Sequence, residues 1–234
     1  MTPLIEVLTE KLNYSFRDPA LLQKALTHRS FAVENNHLVG VDNERLEFLG
    51  DAVLDLVVSD LLWRSYPTEQ EGPLSHRRAA LVSEGSLAIV GQELGLSDLL
   101  ILGKGERQSG GALKPRLVAS AFEALIGAIY LDSNYETVFR VVAQFFHHRV
   151  QQQGGEAEYR KDYKTRLQEV IQKELLVTPT YVIEGESGPP HDRRFRVSVR
   201  IGERAVAFGE GKSKKQAEQN AAEVALKGKT YETI

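Results

Sequence analysis

The sequence predicts two domains of different class, an all-α N-terminal domain followed by a small α+β domain of order α-β-β-β-α. Apolar residues recur at spacings of three and four through the first 150 residues. Strict alternation, the mark of a half-buried strand, enters only in the last third, most clearly in "RFRVSVRI". Between the two patterns lies "VQQQGGEAEYRK", polar and glycine-containing as a linker should be. The expected boundaries are 1–150 for the helical domain, 151–159 for the linker and 160–229 for the α+β domain. A chain of 234 residues can bury a separate core in each.

The opening "MTPLIEVLTEKLNYSFRDP" has acidic residues early and no basic segment leading into an apolar run, so it does not read as a secretory signal. The clearest helical periodicities cover roughly 42–65, 74–93, 117–130 and 135–149. The glycine-rich "LGKGERQSGGALKPR" interrupts them as an expected loop. Beyond the linker, "DYKTRLQEVIQKEL" places Leu167, Val170, Ile171 and Leu175 on one helical face, and "TYVIEGE" is strand-like. "RFRVSVRI" turns Phe195, Val197, Val199 and Ile201 to a core and Arg194, Arg196, Ser198 and Arg200 to water. "ERAVAFGEG" supplies a third strand. The alanine-rich "SKKQAEQNAAEVALKGK" closes the unit as a helix, with Ser213 and Gln216 spaced as a capping box.

Composition bounds the function. With 42% hydrophobic and 26% charged residues the chain resembles an ordinary soluble protein, and no apolar run approaches the roughly 18 residues of a membrane span. The absence of cysteine excludes disulfides and thiolate metal sites and fits a reducing compartment, so a cytoplasmic location is expected. The net charge of −3 conceals an asymmetry: 14 Lys+Arg against 21 Asp+Glu (−7) over residues 1–159, and 15 against 11 (+4) over 160–234. An acidic front and a basic back suggest cations as partners of the first and polyanions of the second.

The segment "NERLEFLGDAVLDLVV" concentrates the acid. At 100° per residue, with Glu44 at 0°, Glu47, Asp51 and Asp55 fall at about 300°, 340° and 20°, on one face. Leu46, Leu49, Val53, Leu56 and Val57 lie on the other side and are expected in the core. An amphipathic helix with a wet acidic side would explain this spacing. Phe48 and Leu54, at about 40° and 280°, flank the carboxylates where a fully wet face should not carry them, and no Lys or Arg four residues on relieves the repulsion. Clustered carboxylates alternatively suit a hard divalent cation, which takes oxygen ligands and keeps several waters. In "ASAFEALIGAIYLD", Glu123 sits among apolar residues, where a carboxylate is costly unless paired with an arginine or bound to metal.

These segments resemble ribonuclease III. "NERLEFLGDAVL" is similar to the family's signature helix, and "GPLSHRRAALV", "LGKGERQSGG" and "FEALIGAIYLD" are similar to its following segments in order. The last third resembles a double-stranded RNA-binding domain, so the likeness covers nearly the whole chain. It implies a homodimer, with one acidic cluster per subunit, that hydrolyses phosphodiesters of double-stranded RNA with Mg²⁺, or Mn²⁺ in its place, leaving 5′-phosphate and 3′-hydroxyl ends in rRNA and mRNA processing. By position, Glu47, Asp51 and Glu123 match metal-binding carboxylates, Glu44 and Glu71 match acidic residues lining the cleavage site, and Phe48 matches an aromatic that enters the partner subunit. Where the family usually has Asp three residues before the second-helix Glu, this chain has Ser120, which can orient a metal-bound water but brings no charge. A non-cleaving RNA-binding protein that kept the fold is the alternative Ser120 leaves open. A phosphohydrolase of small molecules would leave the basic domain unexplained.

Other chemistries lack support: there is no H-E-x-x-H and no G-x-S-x-G. "GKGERQSGG" and "GEGKSKK" lack Walker A spacing, so no nucleotide cofactor is expected. His28, His37, His76, His147 and His148 have no ligand spacing and are read as structural or surface residues. In the second domain, Lys214 and Lys215 fall in the first turn of the last helix, where the dipole disfavours cations by about 0.3–1 kcal/mol each. With Lys212 just before them they suit phosphate. By resemblance, Thr165, Gln168 and Glu169 would touch one minor groove of duplex RNA, His191 in "GPPHDRRF" the next, and the three lysines the phosphates between.

Overall fold

Helix-forming periodicity in the first part of the chain becomes a bundle around one long central helix. A computed structural model describes residues 3–35, 41–152, 162–189 and 192–232. The chain divides into two units, Met1–Gln153 and Gly154–Ile234.

In the first unit the helices are α1 (Pro3–Leu12), α2 (Pro19–Leu26), α3 (Arg29–Glu34), α4 (Glu44–Ser65), α5 (Glu71–Leu81), α6 (Glu84–Leu94), α7 (Leu96–Leu99), α8 (Lys104–Gln108), α9 (Pro115–Asp132) and α10 (Tyr135–Gln152). The continuous helix expected over 74–93 is two. It breaks at Val82, and Ser83 starts α6 by accepting a hydrogen bond from the Ser86 amide, as an N-cap serine does. The expected glycine-rich loop contains α8 and a 3₁₀ turn, Gly111–Leu113.

α4 packs against α9, α10 and α5, so its buried arc is wider than one apolar stripe. Leu46, Val53 and Val57 enter the core as expected, and so does Leu54. Full burial of such a side chain contributes roughly 1.5–3 kcal/mol. Leu56, expected in the core, is exposed instead, because the neighbouring helices lie on the Leu54 side.

The crossing of α4 and α9 is exceptionally close. A methyl group at Gly50 would overlap the carbonyl oxygen of Glu123, and one at Gly127 would overlap that of Leu46. Glycine at both positions lets the two backbones touch, which sets Glu123 level with the turn of α4 between Glu47 and Asp51. The start of α4 is fixed separately. The Asn43 amide donates to the Thr27 carbonyl (2.9 Å) and its buried side chain to that of Ala25 (3.3 Å).

The second unit runs α11 (Tyr163–Leu175), β1 (Thr180–Ser187), β2 (Arg194–Ile201), β3 (Arg204–Gly211) and α12 (Lys214–Gly228). The antiparallel sheet has order β1-β2-β3. Its core joins Leu167 and Ile171 of α11, Val199 and Ile201 of β2, and Ala221, Ala222 and Ala225 of α12. Tyr231, past the expected end at 229, packs there too. Ser198, expected in water, is buried on the outer face, where its hydroxyl donates to Glu184 Oε1 (2.6 Å) beneath Arg200. Ser213 caps α12 by accepting from the Gln216 amide, but Gln216 Oε1 takes the Lys212 amide (2.9 Å), so the capping box closes one residue early.

Gly50→Ala should lower unfolding stability by at least about 2 kcal/mol, since two helix backbones must part to admit the methyl. Gly85→Ala, whose added carbon meets nothing within 4 Å, should be neutral or stabilising by up to about 1 kcal/mol. Urea denaturation of both variants measures the contrast.

Candidate active site

The carboxylates of α4 and the polar residues of α9 meet in a cleft of about 1040 Å³. Glu44, Glu47 and Asp51 enter it from α4, Ser120 and Glu123 from α9, and Phe48 stands at its edge. The opposite wall comes from α3 and the α8 region. That wall is tied by Glu34, which accepts from the amides of Lys104 (2.7 Å) and Gly105 (3.2 Å), and by Ser30 Oγ, which accepts from the Gly103 amide (2.9 Å).

Ser120 Oγ donates to Glu47 Oε1 at 2.8 Å, the direct link between the two helices' functional side chains. Glu123 makes no hydrogen bond or ion pair among the described residues, so it is not the partner of an arginine. Burial, and then the negative charges of Asp51, Glu47 and Asp55, push its carboxyl from the ordinary 4.5 up to about 7. Burial also raises Asp55; Arg78 opposes this and Asp51 adds to it. Glu44 is exposed and pairs with Arg29 Nη1 at 3.0 Å.

Glu71 is not brought to this cleft. It begins α5 and accepts from Ser75 Oγ (2.6 Å), in a separate concavity with Trp63, Glu69 and Arg78. Several residues that do line the cleft were not singled out from sequence, among them Arg29, Glu106, Lys114 and Arg116. The spacing of Arg116, Ser120 and Glu123 at i, i+4 and i+7 was the available signal for the last of these. His28, read as structural, accepts from the Ser30 amide as the N-cap of α3 and also borders the cleft.

The donor set is all oxygen and suits a hard divalent cation such as Mg²⁺. Among the described residues, no three His, Asp or Glu side chains are gathered tightly enough to hold a metal ion as they stand. Like-charged carboxylates repel at short range, and one Glu47 oxygen is engaged by Ser120. The chemical type fits, and a partly desolvated Glu123 without a cationic partner is a group that a cation would satisfy.

In the second unit, Thr165, Gln168 and Glu169 are all exposed on α11, opposite the buried Leu167 and Ile171. Thr165 Oγ1 donates to Asp162, the N-cap of that helix (2.9 Å). Lys214 and Lys215 are exposed on the first turn of α12, with Lys214 Nζ 5.8 Å from the centre of the Phe195 ring. Lys212 Nζ lies 3.5 Å from Asp192. His191 and His37 lie outside the described residues.

Residues 18–150 match the ribonuclease-III-like family model. The chain belongs to the ribonuclease III family. Residues 163–228 match the double-stranded RNA binding motif. Ribonuclease 3 of Bdellovibrio bacteriovorus is 50% identical over 97% of this chain and 96% of its own. That of Syntrophobacter fumaroxidans is 45% identical over 95% and 93%. The crystal structure of the nuclease domain of ribonuclease III from Campylobacter jejuni is 41% identical, with a TM-score of 0.59, over 66% of this chain and 100% of that one. A second structure of that domain, which concerns flexibility in a region involved in its dimer formation, is 42% identical with a TM-score of 0.58, over 62% and 96%. In this ribonuclease III chain, no helix among the described residues is long and apolar enough to cross a membrane.

Because the Glu123 carboxyl titrates above its ordinary value in the fold, its contribution to stability is full below about pH 4.5 and is lost as pH rises through about 7. In EDTA, unfolding stability of the wild type should therefore fall between roughly pH 5 and 8. Glu123→Gln should flatten that fall and be the more stable of the two at pH 8, as measured by denaturant titration across the range.

Proposed function

We propose that this member of the ribonuclease III family is an endoribonuclease that hydrolyses phosphodiester bonds of double-stranded RNA with Mg²⁺, giving 5′-phosphate and 3′-hydroxyl ends. The observation that carries this reading is the meeting of Glu47, Asp51, Ser120 and Glu123 from two helices in one cleft. A divalent ion there would offset charge on the attacking and leaving oxygens and lower the pKa of a coordinated water. Glu47, Asp51 and Glu123 would hold it, with Mn²⁺ as a substitute. Ser120, through its hydrogen bond, keeps Glu47 turned toward α9. No side-chain nucleophile is required.

A homodimer is part of the proposal. Phe48 is 81% exposed, Trp63 71% and Leu56 57%, all on α4. They fall at about 40°, 100° and 120° on the scale used above, a strip running beside the carboxylates. Large apolar side chains in such a strip favour a protein contact over water, and a second copy would cover them and bring its own cleft alongside. Glu71, apart from the cleft in the single chain, would reach a cleavage site only from that second copy.

The second unit would hold the duplex. Its RNA-binding face would comprise Thr165, Gln168 and Glu169 toward a minor groove and Lys212, Lys214 and Lys215 toward phosphates, with His191 proposed for the next minor groove. The basic balance after residue 160 supports this division of labour; action on rRNA and mRNA precursors in the cytoplasm is part of the proposal.

Purified protein should cut long duplex RNA with Mg²⁺ and not with EDTA. Glu123→Gln should abolish cutting while leaving RNA binding, and Ser120→Asp should lower the Mg²⁺ concentration for half-maximal rate; tight binding without cleavage in every form would contradict the enzyme. Replacing Lys214 and Lys215 together with Ala should weaken duplex binding and reduce the magnitude of its log-log salt slope by about 1–2.

A further inference from the structure

We infer that Arg116 binds a backbone phosphate of the RNA beside the carboxylate cluster, a role that Ser120 permits. The inference rests on the RNA-cleaving function proposed above. Arg116 is the second residue of α9 and one turn before Ser120. Taking Arg116 as 0°, Ser120 falls at about 40° and Glu123 at about 340°, so the three share one helix face. All three line the same cleft. The rise of one turn, about 5.4 Å, is within the span of an extended arginine side chain.

Among the described residues, three cations from Arg and Lys line this cleft. Arg29 is held by Glu44 at 3.0 Å and Lys114 by Glu106 at 2.7 Å. Arg116 has no ion pair or hydrogen bond among the described residues and is exposed. Its own helix offers no carboxylate at pairing distance: the residues three and four on are Ala119 and Ser120. A cation in a helix's first turn is opposed by the macrodipole, and among the described residues no side chain holds this arginine by a hydrogen bond or ion pair. A substrate does. A phosphodiester entering a cleft lined by Glu44, Glu47, Asp51 and Glu123 meets repulsion, and a guanidinium at the rim supplies two parallel N–H donors to its non-bridging oxygens.

The identity of residue 120 decides whether Arg116 is available. A carboxylate at 120 would stand four residues from Arg116 on the same face, the spacing at which a helix forms ion pairs, and would draw the guanidinium away from the substrate. Serine leaves it free. The missing charge at 120 and the unpaired charge at 116 thus act together, moving the cleft toward the phosphate.

The test measures duplex RNA binding by fluorescence anisotropy with Mg²⁺ in the Glu123→Gln background, together with steady-state cleavage in the active background. Arg116→Ala should reduce the magnitude of the log-log salt slope by about 1. It should lower kcat/KM about 10-fold, mostly through KM, and Arg116→Lys should restore part of the loss. With Ser120→Asp present, the same Arg116→Ala change should cost less than about 3-fold. An unchanged slope and KM, or an undiminished loss beside Asp at 120, would overturn the assignment of Arg116. If no form cuts RNA, the enzymatic reading fails and the salt slope still decides whether Arg116 meets phosphate.

Discussion

The contact on which the first unit depends is between two backbones. Where α4 crosses α9, Gly50 faces the peptide of Glu123 and Gly127 faces that of Leu46. Side chains of ordinary size would hold the axes 8–10 Å apart; two glycines bring the helices closer. Glu123 then stands level with Glu47 and Asp51, and Ser120, on the same helix as Glu123, reaches Glu47 with a hydrogen bond. The apolar packing around the crossing, from Leu54 on one side to Phe122 and Leu125 on the other, keeps it rigid.

This closeness has an electrostatic cost, and the cleft is organised around it. Burial and three neighbouring carboxylates keep Glu123 reluctant to ionise. A neutral hydroxyl on Glu47, rather than a fourth carboxylate, reduces the repulsion in the absence of a cation. Two of the basic side chains that line the cleft, Arg29 and Lys114, are already paired with carboxylates, so the cleft combines a carboxylate cluster with cations at its rim. That combination suits a reaction in which a metal ion and a phosphate occupy one site together. The second unit repeats the logic with the opposite sign, presenting lysines at a helix start, where an external anion would offset the unfavourable dipole.

Much of the fold was legible in the sequence because local patterns and tertiary burial agree. "RFRVSVRI" alternates cleanly, and β2 spans those eight residues. The acidic face of α4 was visible from 100° spacing, and Glu123 from its apolar setting. What was not legible depends on neighbours. The helix break at Val82–Ser83 lies inside unbroken periodicity, with a cap signal that any serine carries. Leu56 satisfies the pattern of a core residue, yet no helix among the described residues covers it. Ser198 is buried by a hydrogen bond to the adjacent strand that alternation does not encode. Gly50 and Gly127 look like blemishes in two helices until the crossing gives both a reason. Arg116 became visible as a cleft residue only when α3 and the α8 region closed the opposite wall.

The central claim is that Glu47, Asp51 and Glu123, far apart in sequence, serve one divalent ion. Calorimetric titration of the purified protein with Mn²⁺ tests it without RNA or cleavage. The expected result is saturable binding whose affinity falls at least about 10-fold in each of Asp51→Asn and Glu123→Gln, with folding intact by circular dichroism. Undiminished Mn²⁺ affinity in both variants would contradict a shared ion.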